Sequence, residues 1–167
     1  MEKTAKGEFV EILFTGKANG TIFDSNIPED LKKLDPKAEP HKLIIAIGEG
    51  MLVKGLDKAL EDREVGKEYK INISPQDGFG LRNHTLIKTI PLRVFAAQKM
   101  YPEPGMTLLL DNSLAQIRAV SGARVIVDFN NPLASKELEY SFTIVRKVTD
   151  LKEKAQSFIR WFLRMNV

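Results

Sequence analysis

The stretch from Gly48 to Gly80 constrains the fold most, because its hydrophobic period changes within a short span. It opens on Gly48-Glu49-Gly50, a glycine turn, and leads into Met51 to Leu60. There Leu52, Val53, Leu56 and Leu60 recur at helical spacing and give one apolar face. After a turn at Val65-Gly66-Lys67, Tyr69, Ile71 and Ile73 alternate with Lys70 and Asn72, the pattern of a half-buried strand. Pro75 and Gly78 then break the strand into a loop that ends Gly78-Phe79-Gly80. A short helix beside a strand-to-loop exit supplies a floor and a wall for an apolar pocket. The rest of the chain is expected to enclose that pocket or to extend it.

The preceding residues supply strands. Phe9 to Phe14 is apolar-rich, and Asn19-Gly20 is a strong hairpin turn before a return strand at Thr21-Ile22-Phe23. Residues 26 to 41 are polar and punctuated by Pro28, Pro36 and Pro40, with a helical turn around Glu29 to Leu34, and read as a surface excursion. Lys42 to Ile47 is a third strand. After Gly80 the character changes. Thr107 to Leu110, Ala115 to Val120 and Arg124 to Phe129 are short strands joined by polar turns. A β unit this small is marginal alone and should be inserted in something larger. Glu139 to Val148 is a long alternating strand whose inward set is Tyr140, Phe142, Ile144 and Arg146, or the opposite register. Late in the chain, it is placed to close the first sheet. Leu151 to Val167 is an amphipathic helix with Leu151, Ala155, Phe158, Ile159, Phe162 and Met165 on its apolar face and Trp161 off it.

Composition bounds the chemistry. No cysteine is present, which removes disulfides, thiol catalysis and thiolate metal sites and fits a reducing compartment. The net charge of +3 is too small and too scattered to argue for nucleic acid. The first residues, Met1 to Glu8, lack an apolar signal core, and no stretch approaches a spanning helix, so a cytoplasmic protein is expected. The two histidines, His41 and His84, stand in separate polar loops and read as surface residues, so no metal site and no cofactor is expected.

Taken in order, Phe14-Thr15-Gly16, Gly20 to Ser25, Leu52 to Leu60, Val65-Gly66 and Pro75 to Gly80 are similar to the FKBP-type peptidyl-prolyl isomerases. Ala119 to Gly122, Val125 to Asn130 and Asn131 to Leu138 resemble the SlyD-like branch, in which a chaperone domain is inserted in the flap of the isomerase. The resemblance implies an α+β, mostly β, fold: a half-wrapped antiparallel sheet around a short helix, with a small inserted β domain and a C-terminal helix. It divides the chain into a discontinuous isomerase domain (1–83 and 130–150), an insert (84–129) and the terminal helix (151–167).

The same resemblance assigns Phe23, Asp24, Val53, Phe79 and Phe142 to catalysis, and Phe14, Leu43, Leu52 and Leu56 to binding the substrate. The Val53 amide would hold a substrate carbonyl. Phe79 departs from the family, whose loop usually ends Ala-Tyr-Gly: a phenol that would hydrogen-bond substrate is missing, which predicts reduced but not abolished isomerisation. The branch's histidine- and cysteine-rich tail is also absent. In the insert, Ile90, Leu92, Val94, Phe95, Met100, Met106 and Leu108 are candidates for a groove that takes unfolded chain, with the insert's own core as the competing role for part of the set. The expected partners are unfolded or partly folded polypeptides containing X-Pro bonds, and the protein is expected to be a monomer. The terminal helix is expected to dock on the body, with a membrane surface or a second copy as lesser alternatives. The alternative function is a holdase with weak or no catalysis.

Overall fold

The computed structural model describes residues 2–163. The elements are, in order, β1 (Phe9–Ala18), β2 (Thr21–Ser25), α1 (Pro28–Leu34), β3 (Leu43–Ala46), α2 (Lys54–Ala59), β4 (Glu68–Ile73), β5 (Ile87–Pro91), α3 (Leu92–Ala97), β6 (Thr107–Leu110), β7 (Ser113–Ser121), β8 (Arg124–Asp128), β9 (Leu138–Val148) and α4 (Leu151–Leu163). Residues divide into two compact units, one formed by 1–80 with 136–167 and the other by 81–135. Met165, assigned above to the apolar face of the terminal helix, lies outside the described residues.

In the first unit a five-stranded antiparallel sheet runs β2-β1-β9-β4, with β3 also paired to β1. The hairpin β1–β2 turns at Asn19-Gly20, where both residues take positive φ (50° and 76°), the turn whose twist matches the flanking strands. β2 and β3 share one edge of β1: β3 pairs with Phe9 to Ile12 and β2 with Thr15 to Ala18. Asn26, buried, fills the gap between them. Its Oδ1 accepts from the Phe14 N–H (2.8 Å) and its Nδ2 donates to the Ile12 carbonyl (2.8 Å), so a side chain continues the ladder where β2 leaves it. The excursion that follows carries α1, none of whose residues is buried.

β9 is the central partner, flanked by β1 and β4. Leu138, Tyr140, Phe142 and Ile144 face the core, in keeping with a period of two. A register shift opposite Glu11 and Ile12 then inserts Val145 as an extra residue. This corrects the expected inward set. Arg146 does not continue it, but meets Glu11 (2.7 Å) and Glu153 (2.7 Å). Asp57, buried on α2, accepts from the amides of Gly48 (2.8 Å) and Gly50 (3.1 Å) and so fixes the glycine turn ahead of the helix. α4 packs beside β3 with no buried residue of its own, and Leu151 and Phe162 point outward, 79% and 69% exposed.

The second unit is a four-stranded antiparallel sheet, β5-β8-β7-β6, with α3. Phe95, Ala115, Ile117, Val125 and Val127 form its core, and Ile90, Leu92, Met100, Leu108, Leu110, Val120 and Phe129 pack against it. Asp128, 2% exposed, is held by Arg82 and by Arg118 (3.0 Å), and it also accepts from the backbone and side chain of Asn130 (2.9 and 2.8 Å).

Candidate active site

The candidate site grows out of one irregularity in the β1–β2 hairpin. The register shifts between Gly16 and Lys17, so that Gly16 pairs with Asp24 and Lys17 with Ile22. Phe23 is the extra residue. A bulge re-aims side chains, and here it turns both Phe23 and Asp24 to the side on which Gly16 stands. Gly16 is the position that makes room for them. A Cβ built there would lie 2.7 Å from Phe23 Cζ and 2.9 Å from Tyr140 Cε1, closer than side-chain atoms approach one another.

Around that gap the rings assemble. Phe23 meets Phe79 edge-on (centroids 5.9 Å, 81°) and Tyr140 edge-on (5.8 Å, 88°), while Phe14 lies 6.2 Å from Tyr140 at a tilt. These are the offsets that aromatic quadrupoles favour. Phe23 and Phe79 are half-buried and therefore remain reachable, as do Leu52 and Val53 ahead of α2. Val53 is the residue preceding α2, and its carbonyl accepts from the Asp57 amide (3.0 Å). Its own N–H has no partner among the described residues.

Asp24 is exposed as a residue, yet crowding by its neighbours raises its carboxyl above the usual carboxylate range, with the Ser25 amide opposing part of the effect. Burial pushes the Tyr140 phenol up, and the nearby Asp24 charge pushes it further.

Phe142 stands two residues further along the same face of β9. It is 1% exposed and stacks on Tyr69 of β4 (5.6 Å, 26°), the residue paired with it across the strands. Phe142 is sealed in the core, which corrects its assignment to the pocket, and the β9 ring that meets Phe23 is that of Tyr140, itself 4% exposed. Leu56 is also sealed, at 1% exposure, which corrects its assignment to contact with a bound chain. Leu43 lines a different feature, a cleft of about 350 Å³ between β3 and α4 that is also lined by Lys42, Met51, Gln156 and Trp161. The cleft is bordered by the polar side of α4 together with Trp161, the residue that the apolar face leaves out.

In the second unit Phe95 is core, which corrects its assignment to an open groove. Ile90, Leu92, Met100 and Leu108 are half-buried against that core, while Val94 and Met106 are exposed. Leu109 and Leu114, paired across β6 and β7, are exposed as well and were not singled out in the sequence. Among the described residues no cluster of three or more histidine, aspartate or glutamate side chains could hold a metal ion, and no helix is long and apolar enough to cross a membrane.

The bulge brings Phe23 against Phe79 and Tyr140, with Asp24 next to it in the chain. Comparison with known proteins then gives the family. Residues 1–92 match the FKBP-type peptidyl-prolyl cis-trans isomerase family, and residues 88–133 match the IF domain of FKBP26. The chain belongs to the FKBP-type peptidyl-prolyl cis-trans isomerase family. Within it the chain is SlyD-like. It is 33% identical over 142 residues to the short-type peptidyl-prolyl cis-trans isomerase of Methanocaldococcus jannaschii, covering 83% of this chain and 90% of that protein. It is 33% identical over 102 residues to SlyD of Haemophilus influenzae (59% of this chain, 53% of that protein), and 27% identical over 150 residues to SlyD of Helicobacter pylori (87% and 74%). The chain therefore spans nearly all of the archaeal relative but only about half of the Haemophilus one.

Proposed function

We propose that the chain accelerates proline-limited folding by rotating X-Pro bonds on the ring-lined face of its first unit, and that the second unit holds unfolded chain. The observation that carries the first part is the ring cluster around Gly16, in which Phe14 and Tyr140 are buried while Phe23 and Phe79 are half-buried, with Asp24 exposed beside Phe23.

The chemistry follows from the substrate. Rotation about a peptide bond has a barrier of about 18–20 kcal/mol because resonance makes the bond planar, and X-Pro exchange takes tens to hundreds of seconds. The planar amide is charge-separated and well stabilised by water. The twisted state has less of that character. An apolar surface of Phe14, Phe23, Leu52, Val53 and Phe79 withholds solvation from the planar form more than from the twisted one. Each tenfold in rate needs only about 1.4 kcal/mol of such differential binding. Asp24 would orient and polarise the bound chain, and the Val53 amide would hold a carbonyl of it. No nucleophile, acid or metal enters the scheme, and no bond is made or broken.

The second unit supports a holding role through exposed apolar side chains on a small sheet. Val94, Met106, Leu109 and Leu114 are the ones an unfolded segment would reach, and β6 ends the sheet with one edge unpaired, where an extended segment can add. A reducing, cytoplasmic setting fits the absence of cysteine.

The experiment is a protease-coupled isomerisation assay on short X-Pro peptides, with a proline-limited refolding assay beside it. Acceleration of both is expected. Suppressed aggregation of an unfolded protein without acceleration of any peptide would favour the alternative, a weakly catalytic holdase. Phe79, which carries no phenol, is the residue that favours that second reading.

A further inference from the structure

The family motifs leave Tyr140 unassigned, yet the structure puts it at the centre of the candidate site. Its backbone pairs with Gly16, which in turn pairs with Asp24, so the three stand in one row across β9, β1 and β2. Its ring is held edge-on by Phe23 and tilted against Phe14, and the residue is 4% exposed.

The hydroxyl is the informative atom. It has no hydrogen-bond partner among the described residues, and among those residues no side-chain oxygen or nitrogen is both fully sealed and unpartnered. The phenol is thus buried as a residue while its oxygen is not fully sealed. An almost wholly buried polar side chain normally finds a partner within the protein, and one without a partner is placed to take it from a ligand. Phe14, Phe23 and Phe79 offer no polar atom, so Tyr140 is the one phenol among the four rings.

We propose that the Tyr140 hydroxyl donates a hydrogen bond to a backbone carbonyl of the bound chain next to the proline. It thereby supplies the positioning donor that Phe79 cannot. The inference rests on the reading of this face as the isomerase site. Burial first, and then the charge of Asp24, push the phenol up and keep it protonated, so the group acts as a donor and not as a base.

The test is Tyr140→Phe, which keeps the ring and removes only the oxygen, assayed on a short X-Pro peptide with the melting temperature measured in parallel. Loss of one hydrogen bond predicts a fall in kcat/KM of about three- to tenfold at an unchanged melting temperature. Phe79→Tyr added to that variant places a phenol on the other ring that meets Phe23 edge-on and should restore part of the loss, whereas in the native background it should add less. A purely structural role for Tyr140 would not be rescued in this way. Native-like activity in Tyr140→Phe would overturn the proposal and leave the site reading intact, and so would a loss that the second phenol leaves unchanged. An unaltered chain that accelerates no X-Pro peptide would instead overturn the site reading, and this proposal with it.

Discussion

Gly16 and Asp24 show how much of the site rests on single side chains. Gly16→Ala would drive a methyl group into Phe23 and Tyr140. Overpacking of this kind costs about 1–3 kcal/mol, so denaturant midpoints should drop and isomerisation should fall with them as the rings part. Normal stability and normal activity in this variant would mean that the rings need not meet there. Asp24 behaves in the opposite sense. Its carboxyl is raised by crowding, so the folded state holds the proton more firmly than the unfolded chain does, and stability falls as pH rises from the ordinary carboxylate range through the raised value. Asp24→Asn should therefore leave the melting temperature at neutral pH unchanged or higher, while kcat/KM drops by about tenfold, or roughly 1.4 kcal/mol. A variant that loses stability as well would make Asp24 a structural residue.

Residue types and motif order singled out Phe14, Phe23 and Phe79, whose rings meet one another or Tyr140 in the structure. They could not choose between Tyr140 and Phe142. Both lie on one face of β9, two residues apart, and a period of two cannot rank them. The choice depends on which of them stands opposite Gly16, and that is set by cross-strand register rather than by the local pattern.

At the level of elements the same limit recurs. The alternation of β9 was readable through Ile144, but a bulge at Val145 is one unpaired residue whose only trace is that Arg146 finds Glu11 and Glu153 on the outer side. The strands β6, β7 and β8 were readable from their turns. Which of their apolar residues become core was not, because Phe95 is buried by α3 folding back on the sheet, a contact that no window of sequence contains. Asp128 gave no sequence signal at all, although it organises the second unit. Burial alone would raise its carboxyl. The hydrogen bond from Arg82, those from the backbone and side chain of Asn130, and that from Arg118 outweigh burial and hold it far below the usual range. A depressed folded value means that the stabilisation is fully present above the unfolded value and is lost as pH falls toward the folded one. The second unit should thus hold its stability down to about pH 4 and weaken below it. Asp128→Ala, which leaves Arg82, Arg118 and Asn130 without their acceptor, should cost about 3 kcal/mol, read as a lowered unfolding midpoint for that unit. An unfolding curve that Asp128→Ala does not shift would show the network to be decorative.

At the scale of the whole chain the question is whether two activities are divided between two units. The first unit is discontinuous in sequence, entering the second after Gly80 and resuming at Lys136. Its two ends stay close without help from the inserted residues. Gly78 approaches Leu138 so nearly that a Cβ at Gly78 would sit 2.9 Å from Leu138 Cδ1. Replacing residues 81–135 by a short glycine-rich linker should therefore leave the sheet of β1, β2, β3, β4 and β9 closed, since none of its pairings draws on the removed segment. The ring cluster around Gly16 lies wholly within what remains. Peptide isomerisation should then be kept within about threefold, a change of less than about 1 kcal/mol in barrier. Acceleration of a proline-limited protein refolding reaction should fall much further, because the exposed apolar side chains of β6 and β7 that would hold the client chain are gone. Circular dichroism on the shortened chain establishes that it is folded before either rate is compared. If peptide and protein rates then decline together, catalysis depends on the second unit and the division is wrong. If both persist, the holding function belongs to the first unit, and the exposed face of α4, with Phe162 and Leu151 outward, becomes the surface to mutate next.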